Sequence, residues 1–401
     1  MDSIESAGFP LAFKVQDGEA LYDWPRAAGT AAPVRVLAGA LAGMQKLALV
    51  RDSASDATWG LYCDEGPYLN GTDLAPFPLA FFTTGLVLSH LSEIEALARR
   101  RGITLRDVTL VQDSFYSMQG SAIRGTMTGG ALPVDLTLHA ESDADRAALL
   151  GLLGEAVTAS PGNALLRDVF DSRFSITHND APLAPGRVAA LEDAPLPAPD
   201  TALDAVCPDP DAGQPHPIIE KREAAESVFG VEGGAGSSLA AEQKRLLHVR
   251  GIAARRADGL LEVKTQLFKP IGSVFRFLGD LPARYGGGDR APSPMAYLAA
   301  GIAFCYMTQI GRYALITKRR LESYSVVQDT CFSDLMASAG HDRPATAEPV
   351  LTHVHIRSPE DAATVRTVVD MGEQTCFLHA ACRTPLKTRI RVRPPLAESH
   401  A

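Results

Sequence analysis

Two of the six cysteines sit where a thiol could do chemistry. Cys305 lies in Ala299-Ala-Gly-Ile-Ala-Phe-Cys305-Tyr, inside an apolar, helix-like stretch. Cys376 lies in Gly372-Glu-Gln-Thr-Cys376-Phe-Leu-His, just after a helical pattern breaks. A helix opening at Thr375–Phe377 would turn free backbone N–H groups and the positive end of its dipole toward Cys376, which favours thiolate. Cys305, flanked by apolar residues, needs a cation from elsewhere in the chain to do the same. The plainer reading of either residue is a small buried apolar side chain, since free cysteine is often one.

An internal duplication changes the weight of these two positions. Gly71-Thr-Asp-Leu-Ala-Pro-Phe-Pro78 and Gly287-Gly-Asp-Arg-Ala-Pro-Ser-Pro294 share the pattern G-x-D-x-A-P-x-P at an offset of 216. The same offset pairs Gly85 with Gly301, Val111-Gln112-Asp113 with Val327-Gln328-Asp329, His139 with His355 and Asp145 with Asp361. Residues 71–161 align with 287–377 without a gap, with 21 identities in 91 pairs. A repeat of this length is one fold present twice. At the offset, Cys305 becomes Ser89 and Cys376 becomes Ser160. Serine is a polar near-isostere without redox chemistry, so a functional thiol pair predicts this coordinated change in a degenerate copy.

Other candidates are weaker. His353-Val-His355 puts two imidazoles on one strand face, and His341 could join them at a metal. No matching Cys or carboxylate spacing supports that, so no metal is expected. His379 stands one helical turn beyond Cys376; it either lowers that thiol's pKa or is a surface residue. Cys382 is about 240° around a helix from Cys376 and faces elsewhere. Cys63, Cys207 and Cys331 have no motif around them. Gly233-Gly-Ala-Gly lacks the Lys-Ser/Thr of a phosphate loop, and no G-x-S-x-G elbow is present; no cofactor is expected.

The elements that must position the thiols follow a repeated order. Strand signals run over Val34 to Val50 and over Leu246 to Leu278, the latter with an Asp258-Gly259 hairpin turn. Proline-marked apolar helices start at Leu79 and Met295. Strands follow at Leu110–Gln112 and Val134–Leu138, and at Val326–Gln328 and Val350–Ile356. Ser142-x-x-Asp145 and Ser358-x-x-Asp361 look like capped starts of a second helix. This order indicates an α+β fold with antiparallel sheet and segregated helices. Residues 182–217 hold nine prolines and suit an extended, semi-rigid connector. Gly233–Ser238 reads as a flexible joint, and the second copy begins near Lys244.

Length and composition bound the rest. The chain has 401 residues, 46% hydrophobic and 21% charged, which fits a globular protein of two or three domains. A formal charge of -9 gives no help in binding polyphosphate backbones, so nucleic acid is not expected as a partner. Met1 to Ser6 carries Asp2 and Glu5 and has no signal-peptide pattern, so the chain reads as cytoplasmic, with its cysteines as thiols. The uncharged run Pro294–Gly311 has a repeat partner that reaches charge at Glu93. Both therefore read as buried helices and not membrane spans.

Pro292-Ser-Pro294, Ala299-Ala-Gly301, Cys305 at the apolar helix and Cys376 at a second helix together resemble the OsmC/Ohr family. Ser160-Pro161 looks like that family's Cys-Pro with Ser in place of Cys. The resemblance covers roughly residues 30–180 and 244–393. It implies two OsmC-like domains, 1–181 and 244–401, joined by the linker 182–243. They would form an intramolecular pseudo-dimer with antiparallel sheets packed on long central helices; further homo-oligomers are compatible with it. It also implies thiol-dependent reduction of an organic hydroperoxide or related electrophile. Cys305 would be the attacking thiol and Cys376 the resolving one, with an external dithiol as reductant. The family's Glu after the helix-starting proline is absent: Met295 and Ala296, and Leu79 and Ala80, stand there. The family's Arg falls on Arg250, with Arg255 and Arg256 as close alternatives, unless Arg250 is only a solvated strand charge. A rival reading is a small-molecule binding or thiol-carrier protein on the same scaffold; a thiol redox sensor is a third. The apolar residues Leu298, Ile302 and Phe304 could line a pocket for a substrate tail or simply pack the core.

Overall fold

The computed structural model describes residues 2–212, 217–225 and 243–396; the glycine-rich joint at 233–238 lies outside the described residues. Helix α1 (Ile4–Ala7) and strand β1 (Ala12–Lys14) open the chain. Then come β2 (Ala31–Ala40), β3 (Lys46–Asp52), β4 (Thr58–Cys63), α2 (Pro78–Arg101), β5 (Leu105–Gly120) and β6 (Thr128–Ser142). The first half closes with α3 (Arg146–Ala159), α4 (Pro161–Arg167) and β7 (Arg173–His178). The intervening stretch holds β8 (Ala181–Leu183), β9 (Ala189–Ala190), α5 (Asp200–Asp204) and β10 (Ile219–Glu223). The order then recurs as β11 (Gln243–Arg255), β12 (Leu261–Lys269), β13 (Ile271–Gly279), α6 (Pro294–Ile316), β14 (Ser323–Ser333) and β15 (Leu351–Arg357). It ends with α7 (Ala362–Thr375), α8 (Phe377–Cys382) and β16 (Arg389–Arg393).

The long helices are apolar on nearly every side, so burial all round is the only stable place for them. Each starts with proline at its first position, where a missing N–H costs nothing. Ser293 caps α6 by accepting from the Ala296 N–H. The two helices cross where Gly85 faces α6 and Gly301 faces α2. A Cβ on Gly85 would stand 2.4 Å from the Pro294 carbonyl oxygen, and one on Gly301 would stand 2.6 Å from the Phe82 nitrogen. The glycine shared by both repeats is therefore what lets the two backbones touch.

The strands are exchanged between halves. Among the described residues one sheet runs β1-β4-β3-β2-β14-β15-β7-β8, with β9 beside β7, and the other runs β10-β13-β12-β11-β5-β6-β16. Each thus joins a three-stranded meander of one half to a hairpin of the other. The joins are antiparallel: β2 pairs with β14, and β11 with β5. Helix α6 packs on β2, β3 and β14, and α2 on β11, β12 and β5. The fold is α+β with mostly antiparallel sheet. No described helix is long and apolar enough to cross a membrane.

Two local expectations change. The second helices of each half start one residue after Asp145 and Asp361, whose carboxylates accept from Ala148 N–H at 2.8 Å and Thr364 N–H at 2.7 Å. Ser142 and Ser358 donate instead to the Thr104 and Arg320 carbonyls. The proline-rich stretch is also less free than its composition suggests. Ala202, Leu203 and Val206 are buried with Phe13 and Trp24 over Leu37, Leu49 and Val327 of the first sheet. The sequence supplies apolar residues on that outer sheet face, and the connector covers them.

Candidate active site

Cys305 is buried near the middle of α6. Cys376 is buried at the break between α7 and α8 and occupies the N-cap of α8 in extended conformation. Cys305 is close enough to Cys376 to raise that thiol's pKa, so the fold brings together two residues 71 positions apart. The matching serines of the first half meet in the same way, Ser89 Oγ lying 2.7 Å from Ser160 Oγ. All six cysteines are free; Cys63 and Cys382 are buried, Cys331 is half-buried and Cys207 exposed.

Sequence reasoning expects the α8 N-terminus to favour a Cys376 thiolate, but burial wins. Loss of water pushes this thiol well above the ordinary range, and its bond to Cys305 pushes further. The amides of His379 and Leu378 pull the other way, and less strongly. His379 is not a surface residue. It is 1% exposed, with Nδ1 3.2 Å from Cys376 Sγ. Its ring lies against Phe174 and Tyr306, at centroid distances of 5.5 and 5.2 Å. Burial lowers its pKa to about 3, so it is neutral at physiological pH and supplies no charge to the thiol.

Charge comes from the other side of Cys305. A narrow cavity of about 20 Å³ opens on this residue between Tyr68, Phe77 and Leu79 of the first half and Arg245, Leu247 and Phe377. Glu65 of the first half also lines it and accepts from Thr308 Oγ1 at 3.0 Å and Tyr68 Oη at 3.2 Å. Burial raises the Glu65 carboxyl, and Lys46 opposes that rise. Arg245 is only 6% exposed, and its Nε and Nη2 have no hydrogen-bond partner. Burial first, then the charge of Arg312, lowers its pKa to about 10, which leaves it a cation at neutral pH. Arg312 is buried one helical turn past Thr308 and donates to Gln309 Oε1 at 3.1 Å. Buried Lys46 donates to the Met44 carbonyl at 2.7 Å. Arg245 and Glu65 therefore share the cavity with Cys305, Arg312 interacts with that thiol, and Lys46 acts on Glu65.

Arg250 is not among them. Side chains alternate along a strand, and Arg245 and Arg250 are an odd number apart. Arg245 points inward; Arg250 points out, 39% exposed, and holds Asp113 of β5 with two bonds of 2.8 and 3.0 Å. The other half repeats this pair: Arg35 of β2 holds Asp329 of β14 at 2.7 and 2.6 Å. A pair present equally beside serines and beside thiols serves the strand junction. Arg255 bonds Glu95, and Arg256 bonds Asp258 and Glu262, all outside the cavity. Leu298, Ile302 and Phe304 are wholly buried in the core, and the cavity wall is made by other residues.

His353 bonds Ser175 Oγ at 2.8 Å, and His341 lies 4.0 Å from Asp334. Among the described residues no group of three or more His, Cys, Asp or Glu is placed to hold a metal ion. Glu65 and Arg245 were not singled out in the sequence. A signal for Glu65 existed: its partner at the 216 offset is Leu281, a charge-for-apolar mismatch six residues before the matched stretch begins. Arg245 could have been found from strand parity once β11 was placed.

Residues 286–391 match the family model described as OsmC-like protein. No curated protein matches the chain. Among solved structures, the crystal structure of an OsmC-like hydroperoxide resistance protein from Jannaschia sp. CCS1 is 22% identical. That match covers 32% of this chain and 79% of that one, with a TM-score of 0.20. The segment that carries both Cys305 and Cys376 is the one similar to the OsmC-like family.

Proposed function

We propose that the protein is a thiol-dependent peroxidase, with one working site per chain. The observation that carries this reading is the nearness of Cys305 to Cys376 beside a cavity lined by Arg245 and Glu65, with Arg312 acting on Cys305 from α6. The Cys305 sulfur attacks the outer oxygen of a hydroperoxide, an S–O bond forms and the O–O bond breaks. An alcohol leaves with a proton, and Cys305 becomes a sulfenic acid. The nearby cations offset the negative charge that sulfur brings to the attack and oxygen carries away. The Cys376 sulfur then displaces the hydroxyl, forming a disulfide and water. An external dithiol restores both thiols. Free thiols throughout suit a reducing compartment such as the cytoplasm.

In this reading residues 1–181 and 244–401 are two OsmC-like copies forming a dimer-like unit within one chain, with 182–243 as linker. The first copy keeps the architecture, supplies Glu65 and Tyr68 to the site, and has no thiol pair of its own. Glu65 takes the place of the carboxylate missing at Met295 and Leu79. The experiment is direct. Reduced protein receives one equivalent of cumene hydroperoxide and its free thiols are counted. Loss of two thiols, abolished by Cys305→Ser, supports the proposal; no loss over minutes removes it. The small cavity favours one rival, a thiol carrier or binding protein that takes no organic tail, and that rival predicts the second result.

A further inference from the structure

The His379 imidazole touches the second thiol, and the steps above leave it unused. We propose that His379 is the catalytic base of the disulfide-forming step, receiving the Cys376 proton as that sulfur attacks the Cys305 sulfenic acid. This rests on the peroxidase reading of the same site and extends it to the resolving half-reaction.

Three observations point there. Nδ1 is 3.2 Å from Cys376 Sγ, close enough for a thiol to donate to it. The ring is held in place by Phe174 and Tyr306 and by complete burial, so it cannot swing to another partner. Its second nitrogen, Nε2, has no partner in the structure. A hydrogen on Nε2 leaves the Nδ1 lone pair free to face the sulfur. At the offset of 216 the first half, which has serines in place of both thiols, carries Asn163 where this half carries His379.

The chemistry needs such an acceptor. Burial holds Cys376 as a thiol, and a thiol is a poor nucleophile until its proton leaves. As the S–S bond forms and the S–O bond of Cys305 breaks, the electrons of the S–O bond depart with the hydroxyl. The Cys376 hydrogen moves to Nδ1 and on to that hydroxide, so water leaves and the ring ends neutral. Burial makes a lasting imidazolium unfavourable, which suits a relay that returns the proton within the step.

The test separates the two steps. Reduced wild-type protein and the His379→Asn and His379→Gln variants receive one equivalent of cumene hydroperoxide in the presence of dimedone, which captures sulfenic acid. Mass spectrometry follows the Cys305 adduct and the Cys305–Cys376 disulfide with time. The expected result is an unchanged first step, disulfide formation slowed roughly 100-fold in both variants, and a rise in the adduct, the size general-base catalysis ordinarily supplies. Equal disulfide rates in wild type and either folded variant overturn the inference and leave the peroxidase reading standing. No thiol loss and no adduct in wild type overturn both.

Discussion

The two halves make the same joint from different atoms. In each, a long central helix meets a helix cap through one pair of side chains, Ser89 with Ser160 and Cys305 with Cys376. What surrounds the pairs differs. Beside the serines the chain between β14 and β15 folds inward. The amides of Ala337 and Ser338 bind Glu93, one turn past Ser89, and the Met336 amide binds the Ala159 carbonyl, next to Ser160. Leu335, Met336 and Ala337 are buried there. Beside the cysteines the matching residues form the long β5–β6 hairpin. Gly129 of that hairpin lies so near the Thr375 carbonyl that a Cβ would stand 2.6 Å from its oxygen. The cavity stays open on Cys305, lined by Glu65 and Arg245, whereas Glu65 is matched by Leu281 at the serine joint. One half packs its joint closed, and the other leaves a cavity beside its thiols.

Perturbing both joints alike gives the sharpest contrast. Cys305→Ser is expected to lower peroxide-driven thiol loss by roughly 1,000-fold or more, the scale of losing a nucleophile. Ser89→Ala with Ser160→Ala is expected to leave that rate within about twofold, since neither serine enters the chemistry. A large loss from the serine double variant, seen by the same thiol count, would erase the distinction between halves. Arg245→Met comes next. Removing a buried cation that shares the cavity with Cys305 is expected to cost about 1–3 kcal/mol, or roughly 5- to 160-fold in rate. Stopped-flow reaction with cumene hydroperoxide checks it.

Helix contact gives an effect on stability. Gly85→Ala and Gly301→Ala each force the two backbones apart and are expected to cost about 1–3 kcal/mol. Urea melts read that loss, and matched values for the two would show that both halves share the crossing equally. A pH effect can be read at one buried histidine of the serine half. His90 is wholly buried, and burial lowers its pKa to about 4. The unfolded chain takes up this proton below about pH 6.5 and the folded one does not. Its contribution is therefore present above pH 6.5 and lost as pH falls toward 4, by at most about 1.4 kcal/mol per pH unit. The stability difference between wild type and His90→Asn, measured from pH 7 to 5, should follow that slope. Smallest are Arg250→Ala and Arg35→Ala. Each opens a partly exposed ion pair at a strand junction, worth about 0.5–1 kcal/mol. Neither should change the thiol reaction, and a rate loss confined to Arg250→Ala would return that residue to the site.

Much of the scaffold was readable because the repeat prints it twice. The proline-led helices, the Asp258-Gly259 turn and the α7–α8 break follow from local pattern, and local pattern is what a sequence displays. Cys305 and Cys376 stood out because both change to serine together. Glu65 and Arg245 did not, since neither neighbours Cys305 along the chain and each reaches it only through tertiary packing. The resemblance puts the family's Arg at Arg250, with Arg255 and Arg256 as alternatives, whereas the cation at the cavity is Arg245, five positions away and on the opposite strand face. The helix-end argument for Cys376 failed for a different reason. It weighed a dipole and left out burial, which a sequence window does not reveal and which acts more strongly here.

Strand exchange has a consequence for synthesis. On the ribosome β2 emerges early, but the strand that satisfies its free edge, β14, is translated only after most of the chain. Until then a nascent first half presents an open sheet edge and the largely apolar N-terminal part of α2, both invitations to aggregate. Neither half should be recoverable when expressed by itself, whereas two separate fragments produced in the same cell have every pairing surface they need.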